Sequence, residues 1–164
     1  MSESHSITQA RVHELFDYRE DGVLLWKQTR GCSLKGNVAG WKMPNGYFNA
    51  QVDKKNYGIH RLIFMWHYGY FPKEVDHVDN NPSNNKIENL REANRTNNCQ
   101  NTRIRKTNKS GCKGVSWFKK YSKWIAQIQV NKKKMNLGYF DDPKEAAEAY
   151  KEAAIKNFGK FANY

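Results

Sequence analysis

Four residues in the middle of the chain, Asp76, His77, Asn89 and Asn98, are of the types that metal-assisted hydrolysis of a phosphodiester needs. Such a reaction uses a neutral imidazole to take a proton from water, hard oxygen ligands for a divalent ion, and a group that holds the imidazole. Asp76 and His77 are adjacent, so an extended backbone sends the anionic ligand and the base to opposite faces. Asn89 follows His77 by twelve residues, and Asn98 follows by nine more. Their carboxamides offer neutral oxygens, one to orient a ring N–H and one to ligate metal. The set reads as a nuclease site.

Composition agrees with that reading. At 164 residues the chain is long enough for one ordinary domain or two small ones. Hydrophobic residues make up 38% and aromatic residues 13%, enough to fold. No apolar run approaches eighteen residues and there is no basic-then-apolar start, which speaks against a membrane span or a secretory leader. Cys32, Cys99 and Cys112 are odd in number, far apart and without a CxxC pair. That argues against a disulfide framework or a zinc site and for a reducing, cytoplasmic compartment.

The net charge of +12 is unevenly placed. Residues 61–101 hold five basic and five acidic side chains, whereas residues 102–140 hold eleven basic and none acidic. A solubilising surface mixes both signs, so a one-sign block containing Trp117, Phe118, Trp124, Ile125 and Ile128 points to a polyanion partner.

The elements that must position these residues fall into two units with a joint. Residues 1–101 read as an α+β unit. Thr8 caps a short helix that turns Val12, Leu15 and Phe16 inward. Strands are expected at Val23–Trp26, Val38–Trp41, Tyr47–Val52 and Tyr57–His60, with a hairpin at Asn45-Gly46 and a turn at Lys54–Asn56. Arg61–Tyr68 is too apolar for a surface and reads as a buried helix ended by Gly69. Residues 102–112, nearly without apolar content, read as a basic linker whose Arg103, Arg105 and Lys106 could follow phosphates.

Residues 113–164 predict three strands and a helix. Along Lys123–Val130, Trp124, Ala126, Ile128 and Val130 alternate with Lys123, Ile125, Gln127 and Gln129. Residues 132–137 continue the pattern, with Lys132, Lys134 and Asn136 opposite Met135 and Leu137, and Asn131-Lys132 is the turn between the strands. Asp142-Pro143-Lys144-Glu145 announces the helix, whose inner face carries Ala146, Ala149, Tyr150 and Ala153. One sheet face is then covered, and the other, basic and polar, is open. Its expected residues are Lys113, Ser116, Phe118, Ile125, Gln127, Gln129, Lys134 and Asn136, with Lys119, Lys120, Lys123 and Lys132 beside them. Gln suits adenine edges, and Lys suits guanine or phosphate. Trp117 and Trp124 are expected in the core.

From His60 to Asn101 the sequence resembles the HNH endonucleases of the phage and homing type. The resemblance is carried by His60-Arg61-Leu62-Ile63, Val75-Asp76-His77-Val78-Asp79-Asn80-Asn81, Asn84-Asn85-Lys86-Ile87-Glu88-Asn89-Leu90-Arg91, and Asn97-Asn98 through Asn101. It implies two strands and a helix around one divalent ion, Mg²⁺ or Mn²⁺. It further implies His77 as general base, Asp76 as metal ligand, Asn89 as the residue orienting His77, and Asn98 as the second protein ligand. The family name's second residue and final His are both Asn here. His60 is read as packed rather than ligating, Arg61 as a possible phosphate contact, and His67 as a core histidine. The polar run Asp79 to Asn85 is read as a loop closed by its own side chains.

Residues 111–163 resemble the APETALA or ethylene-response-factor DNA-binding domain. Gly114-Val115-Ser116-Trp117, Lys123 to Ile128, Leu137-Gly138-Tyr139-Phe140, Ala146 to Tyr150, Ala153-Ala154 and Phe161-Ala162-Asn163 carry it. It implies a three-stranded antiparallel sheet backed by a helix and docked in the major groove. Ser116, Phe118 and Gln129 stand where plant members place arginines.

The expected protein is thus an α+β chain, with an HNH unit at 1–101, a linker at 102–112 and a DNA-binding module at 113–164. It would act on double-stranded DNA as a monomer, without a membrane. The rival readings are a non-catalytic DNA-binding regulator and an RNA-directed nuclease.

Overall fold

In the computed structural model, which describes residues 7–94, 104 and 108–164, Thr8 caps the first helix, α1 (Gln9–Leu15), by accepting from the Arg11 N–H. A cap of this kind is worth about 1 kcal/mol. Val12 and Leu15 are buried. Phe16, also buried, does not extend the helix face but opens β1 (Phe16–Arg19), which pairs antiparallel with β2 (Val23–Trp26). The short β1 escapes notice because Phe16 fits the helical period equally well. The chain divides into two compact units, Met1–Asn94 and Arg95–Tyr164.

In the first unit, β3 (Trp41–Lys42), β4 (Phe48–Val52) and β5 (Lys55–Gly58) form an antiparallel sheet in that order. Only the end of the expected Val38–Trp41 strand is regular; Val38 makes a single bridge to Leu25. The β4–β5 turn lies at Asp53-Lys54, whose φ of 47° and 65° suit a tight hairpin. Because that turn comes earlier than Lys54–Asn56, β5 starts at Lys55 and ends at Gly58. His60 therefore belongs to the next helix, not to a strand.

That helix, α2 (Ile59–Tyr68), buries Ile59, Leu62, Ile63, Phe64 and Met65 and ends at Gly69, which adopts φ 78° and donates to the Met65 carbonyl. A left-handed residue at this position is most easily glycine. Leu62 and Ile63 are fully enclosed among Val12, Leu15, Phe16, Leu24 and Val52. Truncating such a side chain costs about 2–5 kcal/mol. Against this core lies a second ladder, β6 (Glu74–His77) antiparallel to β7 (Leu90–Ala93), joined by a polar loop and a 3-10 turn at Ile87–Asn89. Asn98 and the helix expected to carry it lie outside the described residues.

In the second unit, β8 (Val115–Phe118), β9 (Lys123–Val130) and β10 (Lys133–Phe140) form an antiparallel sheet with β9 in the middle. Asn131 and Lys132, at φ 50° and 65°, make the expected turn. The helix α3 (Pro143–Phe158) is capped by the Asp142 carboxylate on the Lys144 N–H. It buries Ala146, Tyr150 and Ala154, with Ala149 and Ala153 half-buried beside them. Small side chains let the helix approach Val115, Ala126 and Ile128 of the sheet. The end of the expected linker is ordered by its own polar groups: the Asn108 amide and the Ser110 hydroxyl both donate to the Cys112 carbonyl.

Candidate active site

Asp76 and His77 sit side by side on β6, so the strand pleat turns them to opposite faces. Both are buried, 5% and 4% exposed. Each has acquired a partner from elsewhere in the unit, and the two partners differ in kind.

His77 Nε2 lies 3.0 Å from Asn85 Oδ1, and Asn85 is itself buried. Two more rings flank the imidazole: Tyr47 at 5.7 Å and His60 at 5.4 Å between centroids, with Tyr47 and His60 5.3 Å apart. The His77 ring is thus clamped by an amide on its edge and two aromatic rings. Burial lowers the His60 pKa to about 3, with His77 and Arg61 adding their charge to the effect. His60 Nδ1 is buried with no hydrogen-bond partner among the described residues. His60 is packed, as expected, and stays neutral.

The Asn89 side chain bonds within the polar loop. Its Oδ1 accepts from the Asp79 N–H at 3.1 Å, and its Nδ2 donates to Asp79 Oδ1 at 2.9 Å and to the Asn84 carbonyl at 2.8 Å. Among the described residues its side chain makes no direct bond to the His77 ring. Asp79 also accepts from the Asn81 N–H and from Asn84 Nδ2. Burial opposes ionisation of Asp79, yet the bonds from Asn84, Asn81 and Asn89 outweigh it and hold the carboxyl below its ordinary range. The polar loop is closed by its own side chains, as its composition predicts, and Asn89 is its hub. Asn85 is the exception, and its Asn-rich setting hid it.

Asp76 stands directly across the ladder from Arg91. Arg91 Nε donates to Asp76 Oδ2 at 2.8 Å, and its Nη2 is 2.7 Å from the same oxygen. The pair is 14% and 5% exposed, so each charge depends on the other. Arg61 is less free than expected: its guanidinium donates to the Pro72 carbonyl at 3.0 Å and lies over the Phe71 ring. It braces the approach to β6. His67 packs edge-on to Tyr18, consistent with a structural role.

The donor chemistry can be tested for a metal ion. Among the described residues no three His, Cys, Asp or Glu side chains gather as a ligand set. What is present is a carboxylate and amide oxygens, which suit a hard ion that keeps most of its water and takes one or two protein oxygens. The residues fit such an ion on one condition: it must share the Asp76 carboxylate with Arg91. Asn98, the other expected ligand, is outside the described residues.

The open face of the second sheet holds part of the expected set. Ala126 and Ile128 are buried and pack toward α3, so Gln127 and Gln129 point the other way, with Lys134 and Asn136 as their cross-strand partners. Ser116, Lys119, Lys120, Lys132 and Lys134 are exposed. Three expectations need correction. Ile125, placed on the open face, is 4% exposed, because Phe118, Tyr121 and Tyr139 cluster on that face. Trp117, expected in the core, is 49% exposed at the sheet edge beside Trp124, and Met135 is also exposed. Lys123 pairs with Asp141 at 2.9 Å on the surface, and burial lowers the Lys113 pKa. Arg103, Arg105 and Lys106 lie outside the described residues.

Comparison with known proteins bears on the first unit. Residues 57–100 match the family described as HNH endonuclease, so this segment is an HNH endonuclease domain. Protein 3.8 of Escherichia phage T7 is 38% identical over 69 residues, covering 42% of this chain and 54% of that protein. The chain therefore spans about half the length of this relative. No solved structure matches. The matched family segment ends at residue 100 and lends no support to the resemblance of residues 111–163.

Proposed function

We propose that the chain is a divalent-metal-dependent DNA endonuclease of the HNH type, a phage homing or nicking enzyme that acts on double-stranded DNA as a monomer. The observation that carries this reading is the clamped His77 next to Asp76 on β6 of the HNH segment, with Arg91 paired to Asp76 from across the ladder. His77 takes a proton from the attacking water, and the rings of Tyr47 and His60 keep its plane fixed during that transfer. A hard divalent ion, held through Asp76 and Asn98, would stabilise the charge that develops on the phosphate and the leaving 3′ oxygen. Arg91 holds the buried Asp76 carboxylate in place until then.

The second unit supplies affinity. Its open sheet face, with Gln127, Gln129, Lys134, Asn136 and the exposed Lys119, Lys120 and Lys132, suits the major groove of duplex DNA, as in the ethylene-response-factor type it resembles. Separation of the two tasks follows the charge, since residues 61–101 are electrically balanced and residues 102–140 are not. No helix among the described residues is long and apolar enough to cross a membrane.

A specific observation favours the second reading, a non-catalytic DNA-binding regulator: Asp76 is already neutralised by Arg91. Incubating purified protein with supercoiled plasmid separates the two. The endonuclease converts plasmid to open circles with Mg²⁺ or Mn²⁺ and stops with EDTA. Binding without cutting in any divalent ion favours the regulator, and cutting undiminished by EDTA removes the metal.

A further inference from the structure

We propose that the cleft between the Arg30–Ser33 turn and the β3–β4 ladder is a subsite for one unpaired nucleotide of a DNA strand, its base on the Trp41 ring and its phosphate at Arg30 and Lys54. The inference rests on the reading of DNA as the substrate. It gives the first unit a grip of its own on that strand, built from residues that precede the matched family segment, 57–100.

The cleft has a volume of about 740 Å³, and its walls include Trp26, Arg30, Trp41, Gln51, Asp53 and Lys54. Sites for small ligands usually measure about 300–1,000 Å³, so there is room for one nucleotide. None of these residues belongs to the Asp76–His77 site.

One wall offers a flat aromatic surface. Trp41 pairs with Asn49 across the β3–β4 ladder, and Gln51 lies two residues further along β4, so the three side chains share a sheet face. Trp41 is 45% exposed, and Gln51 is exposed as well. Gly40 adopts φ 89°, and a Cβ there would strike the Asn49 carbonyl, so glycine lets the chain lie this close to β4 just before Trp41. An exposed indole is a surface on which a base stacks, and the Gln51 amide carries both a donor and an acceptor for a base edge. A base can stack on a side chain only when it is out of its own duplex, which makes the nucleotide an unpaired one.

The opposite wall is cationic and already fixed in place. Backbone bonds of 2.8 and 3.0 Å close the Arg30–Ser33 turn in both directions. The Arg30 guanidinium lies over the Trp26 ring at 5.7 Å, and its Nη2 donates to Asp53 Oδ1 at 3.1 Å. Asp53 is shared with Arg11, which also bonds to Glu14. Arg11, Arg30 and Lys54 thus stand against two carboxylates, and the group keeps a positive charge. Arg30 Nη1 is enclosed with no hydrogen-bond partner among the described residues, a costly state for a donor. The Arg30 side chain is 33% exposed, so a small rotation presents Nη1 to a phosphate oxygen at its open edge. The guanidinium fork suits that acceptor.

The test is photo-crosslinking of the full-length protein to a short single-stranded oligodeoxynucleotide carrying one 5-iododeoxyuridine, with the adduct mapped by mass spectrometry. The adduct should fall on Trp41, and the same sequence in a blunt duplex should give little of it. Trp41→Ala should weaken binding of the single strand about fivefold or more. Lys54→Gln should lower the slope of log K against log salt by about 0.7; this variant and the wild-type adduct decide the matter if Trp41→Ala does not fold. Adducts confined to residues outside the cleft, or an equal Trp41 yield from the duplex, overturn the proposal. So does free 5-iododeoxyuridine monophosphate binding as tightly as the strand, which would assign the cleft to free nucleotides. Failure of the underlying reading shows separately: a protein that neither binds nor nicks DNA overturns both, whereas nicking without an adduct in the cleft overturns the proposal alone.

Discussion

Arg91 lies directly opposite Asp76 on the β6–β7 ladder and sets two guanidinium nitrogens against a single carboxylate oxygen, at 2.7 and 2.8 Å. The carboxylate proposed for metal binding is therefore already charge-compensated within the protein. A buried ion pair of this kind adds little net stability when intact but is costly to break on one side only.

Arg91→Leu should destabilise the first unit by about 3–5 kcal/mol, because the buried Asp76 carboxylate would lose its guanidinium partner. Added Mg²⁺ should then raise the melting temperature of the variant more than that of wild type, by taking over the vacated charge. Equal shifts in the two proteins would remove Asp76 from the metal site.

His77→Ala should slow plasmid nicking by about 10²–10⁴ while leaving DNA affinity nearly unchanged. Gel-shift and nicking assays on the same preparation check both halves. Lost binding would assign His77 to recognition rather than chemistry.

Asn89→Ala removes three hydrogen bonds from the loop that carries Asn85. Each bond contributes about 0.5–1.5 kcal/mol, so chemical denaturation should register a loss of a few kcal/mol. The expected pattern is a stability defect together with a kcat defect; a kcat defect without loss of stability would mean that Asn89 touches the reacting groups itself.

Low pH should weaken the first unit through His60. Its folded pKa, about 3, lies below the ordinary histidine value, so the unfolded state binds the proton more readily. The contribution of this group is intact above about pH 6.5 and is lost as pH falls toward 3, by up to about 1.4 kcal/mol per pH unit. His60→Phe should flatten that part of the stability profile. An unchanged slope would mean that other groups carry the acid sensitivity.

Replacing Lys119, Lys120, Lys132 and Lys134 with Gln should weaken duplex binding and flatten its dependence on salt. Each lost phosphate contact removes about 0.9 from the slope of log K against log salt. If affinity and slope stay as in wild type, the open sheet face is not the DNA anchor.

The reach of the sequence can be judged from particular residues. Asp76-His77 was legible because adjacency alone places a carboxylate and an imidazole on opposite faces of a strand. The Thr8 and Asp142 caps, the Asn131-Lys132 turn and the buried α2 were legible because caps, tight turns and apolar runs are local in sequence. Mistakes came where two local rules competed: Phe16 fits both a helix face and a strand start, and Ile125 follows strict alternation yet is roofed by Phe118, Tyr121 and Tyr139.

What joined these residues into a site was decided only in three dimensions. Asn85 is one asparagine among several in its loop, and nothing in its type or spacing distinguishes it from Asn84, which bonds to Asp79 instead. Tyr47 and His60 arrive beside His77 from β4's edge and from α2. Arg91 meets Asp76 because of the β6–β7 register, which a loop of uncertain length leaves open. Sequence by itself determined which chemistries were possible, since that depends on residue type. Tertiary structure decided which amide meets the imidazole and which counter-charge meets the carboxylate, since those depend on where the backbone returns.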